Sequence, residues 1–180
     1  MATSSAKPLE ITMGDIHSNN IGLLRKLNEQ TFPVRYADKF YAEIPTLLTE
    51  FTQFAYFGGF AVGAVCGRLE PCVDASSKKL YIMTIGVLNA YRNRGIGRKL
   101  LDYLLENAAK RSDVKVVYLH VQTNNATALD FYKKAGFENL GKIEGYYKRI
   151  EPPDCFVLGK VVNAEPGAKC ADFLGDMGMV

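Results

Sequence analysis

Metal-ligand spacing is missing from this sequence. Its four cysteines, Cys66, Cys72, Cys155 and Cys170, form no C-x-x-C pair, and its two histidines, His17 and His120, lie at no ligand spacing from them. Free thiols in a reducing compartment and no metal are the expected state. No apolar run approaches the roughly 20 residues of a membrane span. The start Met-Ala-Thr-Ser-Ser-Ala-Lys has neither an apolar secretory region nor a glycine at position 2 for myristoylation. A cytosolic protein is expected, with a nuclear pool left open. Charge of one sign is scarce as well: a formal net charge of +3 gives no case for nucleic acid or a membrane as a direct partner. Basic residues inform only where they cluster, at Arg92 to Arg98 and at Lys148-Arg149.

What is present suits one folded domain. The 180 residues are 48% hydrophobic and include ten Tyr and ten Phe, enough for a substantial core. Leu9, Ile11 and Met13 alternate with polar neighbours and predict a first strand. Ile21, Leu24 and Leu27 then follow helical spacing until Phe32-Pro33, and a short helix is predicted over Asp38 to Ile44, before Pro45. Gln53 to Phe57, the Gly58-Gly59 turn and Phe60 to Leu69 predict a hairpin, with Glu70 to Lys79 a loop. Leu80 to Leu88, the leucine-rich helix pattern Arg98 to Ala109 and Val114 to Gln122 make a strand-helix-strand unit, for which a right-handed parallel crossover is expected. Strands near Glu138 to Lys142 and Phe156 to Val162 would complete a mixed sheet. Residues after Asn163 show few regular apolar repeats and predict a mobile tail over 163–180.

The sharpest signal is Arg92-Asn93-Arg94-Gly95-Ile96-Gly97, set between a strand pattern and a helix pattern. A glycine-rich turn opening a helix aims unpaired backbone N–H groups and the positive end of the helix dipole at one point, which suits a phosphate. Gly95 and Gly97 let that phosphate approach the backbone, and Arg92, Arg94 and Arg98 add charge for more than one phosphate group. A Walker loop would need a Gly-Lys-Ser/Thr ending, and a dinucleotide fingerprint a third glycine where Leu100 stands. The pattern Arg-x-x-Gly-x-Gly instead resembles the acetyl-CoA pyrophosphate loop of the GNAT superfamily of N-acetyltransferases. Downstream, Asn125-Ala126-Thr127-Ala128-Leu129-Asp130-Phe131-Tyr132-Lys133-Lys134-Ala135-Gly136-Phe137 resembles the superfamily's Asn-x-x-Ala-x-x-Phe-Tyr-x-x-x-Gly-Phe segment. The resemblance implies an α/β (α+β) fold: a single domain over 1–162 with a mixed, mostly antiparallel twisted sheet, splayed central parallel strands and flanking helices. Acetyl-CoA is the implied cosubstrate.

Acetyl transfer to an amine needs an unprotonated nucleophile, a polarised thioester carbonyl and a stabilised leaving thiolate. The resemblance implies direct transfer, so the cysteines are not expected to be nucleophiles. A base with a pKa near ~6.5 could take the amine proton directly or through water, which points to His120. Alternation along Val117 to Gln122 puts Tyr118, His120 and Gln122 on one face, and Tyr81, Met83 and Ile85 share a face on the neighbouring strand. Tyr81 and His120 would then flank one cleft with a water between them. On residues alone, a hydrogen-bonded half-buried histidine and a core tyrosine are the favoured account of the pattern, and it is the resemblance that turns it towards catalysis. By resemblance, a backbone N–H around Ile85 and Gly86 binds the acetyl carbonyl, Val87 lies beside the pantetheine arm, and Tyr132 meets the CoA sulfur. Packing of an amphipathic helix is the alternative for Tyr132, and an early-helix hydrogen bond the alternative for a CoA contact at Asn125.

Four segments narrow the acceptor: Phe32-Pro33-Val34-Arg35-Tyr36, Leu80-Tyr81-Ile82-Met83-Thr84, Tyr118-Leu119-His120-Val121-Gln122 and Tyr146-Tyr147-Lys148-Arg149-Ile150. Together they resemble the catalytic-subunit family of the NatE protein N-terminal acetyltransferase, from about Ile11 to Lys160. That resemblance implies contacts of Phe32, Pro33, Val34, Tyr147 and Ile150 with a first-residue methionine and of Tyr36 and Tyr146 with the peptide backbone. Met83, Lys148 and Arg149 belong to the same substrate set. It further implies substrates that keep the initiator methionine before a hydrophobic residue such as leucine, and partnership with the NatA catalytic and auxiliary subunits at the ribosome. Helix stops and hairpin pairs explain Phe32-Pro33 and Tyr146-Tyr147 without it. A lysine Nε-acetyltransferase and a noncatalytic CoA-binding scaffold subunit remain the other readings.

Overall fold

The computed structural model describes residues 10–179. Its seven strands lie in one sheet, in the order β1-β2-β3-β4-β5-β7-β6. β1 (Thr12–Asp15), β2 (Thr52–Phe57) and β3 (Phe60–Pro71) pair antiparallel in sequence. β4 (Lys78–Val87) and β5 (Val114–Gln122) pair parallel, and β7 (Cys155–Val161) lies antiparallel to both β5 and β6 (Glu138–Ile143). This is the mixed, mostly antiparallel sheet expected from the sequence. The β4–β5 register runs only from Lys78↔Val114 to Tyr81↔Tyr118, although both strands continue beyond it. The parallel strands therefore part as expected.

Two compact units are distinguished by their contacts: residues up to Cys66 with Thr84–Tyr103, and Gly67–Met83 with residues from Leu104 on. In the first, α1 (Ile21–Thr31) buries Leu24 and Leu27 and ends at Phe32, whose extended backbone (φ −115°, ψ 144°) is what the following Pro33 demands. The short helix α2 (Asp38–Glu43) follows. The hairpin turns at Gly58-Gly59 as predicted, and a bulge between Ala55 and Tyr56 shifts its register. Phe54, Val62, Val65, Leu100 and Leu101 form the unit's core. The helix α3 (Ile96–Lys110) starts two residues before the predicted Arg98.

In the second unit, β5 reads as a central strand: Val114, Val116, Val117, Tyr118, Leu119 and Val121 are all buried. α4 (Ala126–Lys134) leads into β6. The predicted loop over 70–79 is shorter than expected, because β3 carries on to Pro71 and β4 starts at Lys78. Asp74 holds that turn through the Ser77 N–H and hydroxyl. Leu9 of the predicted first strand lies outside the described residues. The segment read as a mobile tail instead carries α5 (Cys170–Leu174), with Cys170 and Leu174 buried against Val116, Tyr118 and Val157. Two inward residues at i and i+4 anchor it, too short a repeat to register as a helix pattern.

Candidate active site

The glycine-rich turn sits where the sequence placed it, in the first unit. Gly95 has φ +77° and Asn93 φ +59°, conformations that free the backbone for the turn, and a side chain at Gly95 would meet nothing within 4 Å. Ile96 is buried and opens α3, Gly97 follows, and the Gly95 carbonyl accepts the Lys99 N–H, so the glycine turn leads into the helix backbone. The charges are less uniform than the sequence suggests. Arg92 donates through Nε to the Val87 carbonyl at 3.0 Å and through Nη2 to the Thr31 carbonyl at 3.4 Å, bracing the end of β4 against the end of α1. Arg98 pairs with Asp102 at 2.7 Å, while Arg94 is exposed. Residues fit a pyrophosphate here: open glycine backbone, a helix start and net positive charge.

Around Phe32 the packing is close. A Cβ on Gly86 would lie 3.0 Å from the Phe32 ring and 3.1 Å from Thr31 Cγ2, so the bare backbone of Gly86 is what seats that ring. The Phe32 ring meets Tyr36 edge-on at 5.8 Å, and Tyr36 stacks on Phe40 at 4.6 Å. Pro33 and Val34 fill the turn between α1 and α2, and Ile85 and Val87 lie half-buried on the same alternating face of β4.

The second unit holds the titratable cluster. The Tyr81 hydroxyl lies 3.2 Å from His120 Nδ1, with the rings edge-on at 5.5 Å. Tyr146 stacks on the imidazole at 4.4 Å and meets Tyr147 at 4.9 Å. Burial pushes His120 down to about 4, with the Glu70 carboxylate opposing the shift, so the ring is neutral near pH 7. Burial, joined by the neighbouring Tyr146, raises Tyr81 far above the ordinary phenol range. Burial pushes Tyr147 up to about 12. The cluster is thus uncharged and hydrogen-bonded. Met83 is half-buried on the Tyr81 face of β4.

Tyr146 to Ile150 lie in the β6–β7 connection. The Tyr147 N–H donates to the Pro153 carbonyl at 2.7 Å, and the Gly145 N–H donates to Asp154 at 2.9 Å, lowering that carboxyl's pKa. Gln122, on the His120 face, donates to the Pro152 carbonyl at 2.8 Å and holds the same connection. Lys148 donates to the Gly145 carbonyl, Arg149 is exposed and Ile150 half-buried. Tyr132 is only 4% exposed, in edge contact with Phe131 and Phe137, and burial holds its phenol protonated. Asn125 caps α4 by accepting the Ala128 N–H at 3.1 Å, so the early-helix reading holds for its side-chain oxygen.

Three residues the sequence reading left without a role belong to this cluster. Tyr118 donates to Glu70 Oε2 at 2.6 Å, Glu70 Oε1 accepts from Arg68 at 2.6 Å, and the Arg68 guanidinium lies 5.8 Å from the Tyr81 ring centroid. The signal available was the i, i+2 placement of Arg68 and Glu70 on one strand face, hidden by ending that strand at Leu69. All four cysteines are free and buried, and burial pushes Cys66 up to about 12 and Cys155 and Cys170 up to about 11. Those thiols are not nucleophiles near pH 7. Among the described residues no group of His, Cys, Asp and Glu is arranged to hold a metal ion, and no helix is long and apolar enough to cross a membrane.

Comparison with known proteins follows the same lines. Residues 22–137 match the acetyltransferase (GNAT) family. N-alpha-acetyltransferase 50 of zebrafish (Danio rerio) is 43% identical over 167 residues, 93% of this chain and 95% of the relative. The probable N-acetyltransferase san of Drosophila melanogaster is 43% identical over 153 residues, 85% of this chain and 82% of the relative. Among solved structures, Arabidopsis thaliana Naa50 in complex with the bisubstrate analogue CoA-Ac-MVNAL is similar at a TM-score of 0.77 and 44% identity, covering 83% of this chain and 97% of that one.

Proposed function

The chain belongs to the acetyltransferase (GNAT) family, and from that premise we propose that it transfers acetyl from acetyl-CoA to the α-amine of proteins that keep their initiator methionine. A hydrophobic second residue such as leucine is the preferred context. One observation carries the reading: a neutral His120 held against the Tyr81 hydroxyl, a proton acceptor that needs no metal and no covalent intermediate. The Arabidopsis relative, 44% identical, was bound to an analogue joining CoA through acetyl to a peptide that begins with methionine, which supports both the acceptor and direct transfer.

In the proposed reaction the amine nitrogen attacks the thioester carbonyl, the C–N bond forms, the C–S bond breaks, and the CoA thiolate takes a proton. The backbone around Ile85 and Gly86 orients the carbonyl oxygen, and the turn from Arg92 to Arg98 holds the pyrophosphate, with Val87 and Asn125 flanking the cofactor. Tyr132 keeps its phenolic proton and serves as the donor to the thiolate. With His120 at about 4 and a reference α-amine pKa of about 7.8, complete proton transfer before attack would cost about 5 kcal/mol. The ammonium therefore gives up its first proton to solvent and reacts as the free amine, and the second proton leaves as the C–N bond forms and the nitrogen becomes acidic, through a water shared by Tyr81 and His120. Phe32, Pro33, Val34, Tyr147 and Ile150 are the proposed methionine contacts, Tyr36 and Tyr146 the backbone contacts, and Met83, Lys148 and Arg149 complete the peptide set. A lysine acceptor, with a reference pKa near ~10.4, adds roughly 3.5 kcal/mol to the deprotonation cost.

Association with the NatA catalytic and auxiliary subunits at the ribosome, in the cytosol with a nuclear pool, completes the proposal on the strength of the NatE resemblance. Co-purification of the tagged chain with those subunits tests it. The catalytic reading is tested with the purified chain, acetyl-CoA and two peptides: one beginning Met-Leu, and the same peptide with a blocked terminus and one internal lysine. Acetylation of the free terminus alone is the expected result. Preferential lysine modification would replace the acceptor, and binding of acetyl-CoA without transfer to either peptide would replace the enzyme by a scaffold subunit.

A further inference from the structure

Glu70 stands at the end of β3, 48 residues from Tyr118 in sequence, and both of its carboxylate oxygens are engaged. Oε2 accepts the Tyr118 hydroxyl at 2.6 Å, and Oε1 accepts Arg68 Nη2 at 2.6 Å and Nε at 3.1 Å. Each partner in turn touches Tyr81. The Tyr118 ring lies beside it, centroids 5.0 Å apart, on the strand position directly opposite, and the Arg68 guanidinium sits 5.8 Å from its centroid. Tyr118 also meets His120 edge-on at 6.1 Å. On its far side Tyr118 pairs with Gly159, where an added Cβ would lie 2.9 Å from Cys170 Sγ and 2.7 Å from Leu140 Cδ1, so packing closes that side and leaves Tyr118 5% exposed.

We propose that Glu70 is a positioning residue of the transfer reaction: by holding Tyr118 with one oxygen and Arg68 with the other, it fixes where the Tyr81 ring lies and so the meeting of the Tyr81 hydroxyl with His120. This rests on the acetyltransferase reading. A tyrosine's hydroxyl lies on the axis of its second side-chain torsion, so only the first torsion can swing it away from His120, and the neighbours packed against the Tyr81 ring are what hold that torsion. Glu70 restrains it by holding two of those neighbours, Tyr118 and Arg68. The carboxylate is also the charge that opposes burial at His120, so it keeps the imidazole a better acceptor than its desolvation alone would allow.

The test compares Glu70→Ala, Glu70→Gln, Tyr118→Phe and the double variant Glu70→Ala/Tyr118→Phe with wild type, using a Met-Leu peptide and acetyl-CoA. Glu70→Ala and Tyr118→Phe should each lower kcat by about tenfold, the size expected for a lost hydrogen bond to a charged group. Peptide KM and acetyl-CoA Kd should stay within about twofold, and the double variant should be no slower than the slower single one, since both remove the same bond. Glu70→Gln, which keeps the shape and one acceptor oxygen, should recover to within about threefold of wild type. A kcat for Glu70→Ala within twofold of wild type, a loss that appears in acetyl-CoA affinity, or losses that multiply in the double variant would overturn the assignment. A loss of thermal stability at unchanged kcat per folded molecule would overturn it too. A second readout does not need turnover: with only two histidines in the chain, the ring signals of His120 in labelled protein are easily assigned. They should move further in Glu70→Ala than in Glu70→Gln, which loses the charge but keeps the shape; signals unmoved in Glu70→Ala, or moved equally in both, refute the positioning role even if wild type transfers no acetyl group.

Discussion

The neutral state of His120 makes a quantitative claim about pH. For kcat/KM, only ionisations of free enzyme and free substrate count. The peptide amine must be unprotonated, and so must the acceptor. With His120 near 4, it is neutral throughout the range from pH 5.5 to 8, and the substrate amine is the single controlling group. Taking its pKa as about 7.8, kcat/KM should fall about 120-fold between pH 8 and pH 5.5, with a logarithmic slope of 1 and no break near 6.5. Were His120 an ordinary histidine of pKa ~6.5, a second ionisation would multiply the fall by about eleven, to about 1,300-fold, and the slope would approach 2 below pH 6.5. The assay is product formation from a Met-Leu peptide at saturating acetyl-CoA, quantified by mass spectrometry at constant ionic strength. Aliquots held at pH 5.5 and returned to pH 8 exclude irreversible acid inactivation. A slope near 2 would refute the burial argument and restore early proton transfer to His120 as the mechanism.

Gly95→Asp should raise the acetyl-CoA Kd by at least about tenfold, because Asp adds a negative charge at the helix start, while Gly95→Asn, neutral and tolerant of positive φ, should raise it less; isothermal titration measures both, and open space around Gly95 removes a steric explanation. The folded-state pKa of His120 lies below its unfolded value of ~6.5, so its contribution to stability is present above pH 6.5 and is lost as pH falls towards 4. Urea denaturation should show wild type losing up to about 2 kcal/mol more than His120→Asn between pH 7.5 and 5, and equal pH slopes would refute it. Leu174→Ala should destabilise the protein by about 2 kcal/mol, at the low end for a buried leucine since a short helix can collapse into the space, with the melting midpoint as the measure.

The elements legible in the sequence were those whose signal is local. Ile21, Leu24 and Leu27 mark α1, Phe32-Pro33 its end, Gly58-Gly59 the hairpin and Arg92 to Gly97 the glycine turn that opens α3, each readable in a window of a few residues. The alternation of Tyr118, His120 and Gln122 was equally local, and His120 does meet the Tyr81 hydroxyl of the neighbouring strand. What escaped was set by contacts far apart in sequence. Arg92 looked like one charge of three, but its Nη2 reaches the Thr31 carbonyl, 61 residues away. Glu70 looked like the first residue of a polar loop, although its partner Tyr118 makes it the end of a strand. The C-terminal segment failed for a related reason: Cys170 and Leu174 find their cover on β5 and β7, and no periodicity in a five-residue helix foretells that.

Burial at His120 and the basicity of the amine act on the same proton transfer. An exposed histidine would carry charge on a sizeable fraction of molecules near neutral pH, and a cationic ring would repel the incoming ammonium of a chain terminus. Stacking under Tyr146 and beside Tyr81 removes that charge at the expense of basicity. A weak base suffices only if the amine is already close to neutral in solution, which holds for an α-amine near ~7.8 and fails for a lysine near ~10.4. The gap of about 2.6 units between the two amines, worth about 3.5 kcal/mol whatever the basicity of the acceptor, therefore discriminates between the classes before any residue of the peptide is recognised, and desolvation of the imidazole slows both alike. Re-exposing the ring, for example by Tyr146→Ala, should therefore shift terminal and lysine acetylation of the paired peptides by the same factor, and a changed ratio would show that Tyr146 selects the acceptor by contact instead.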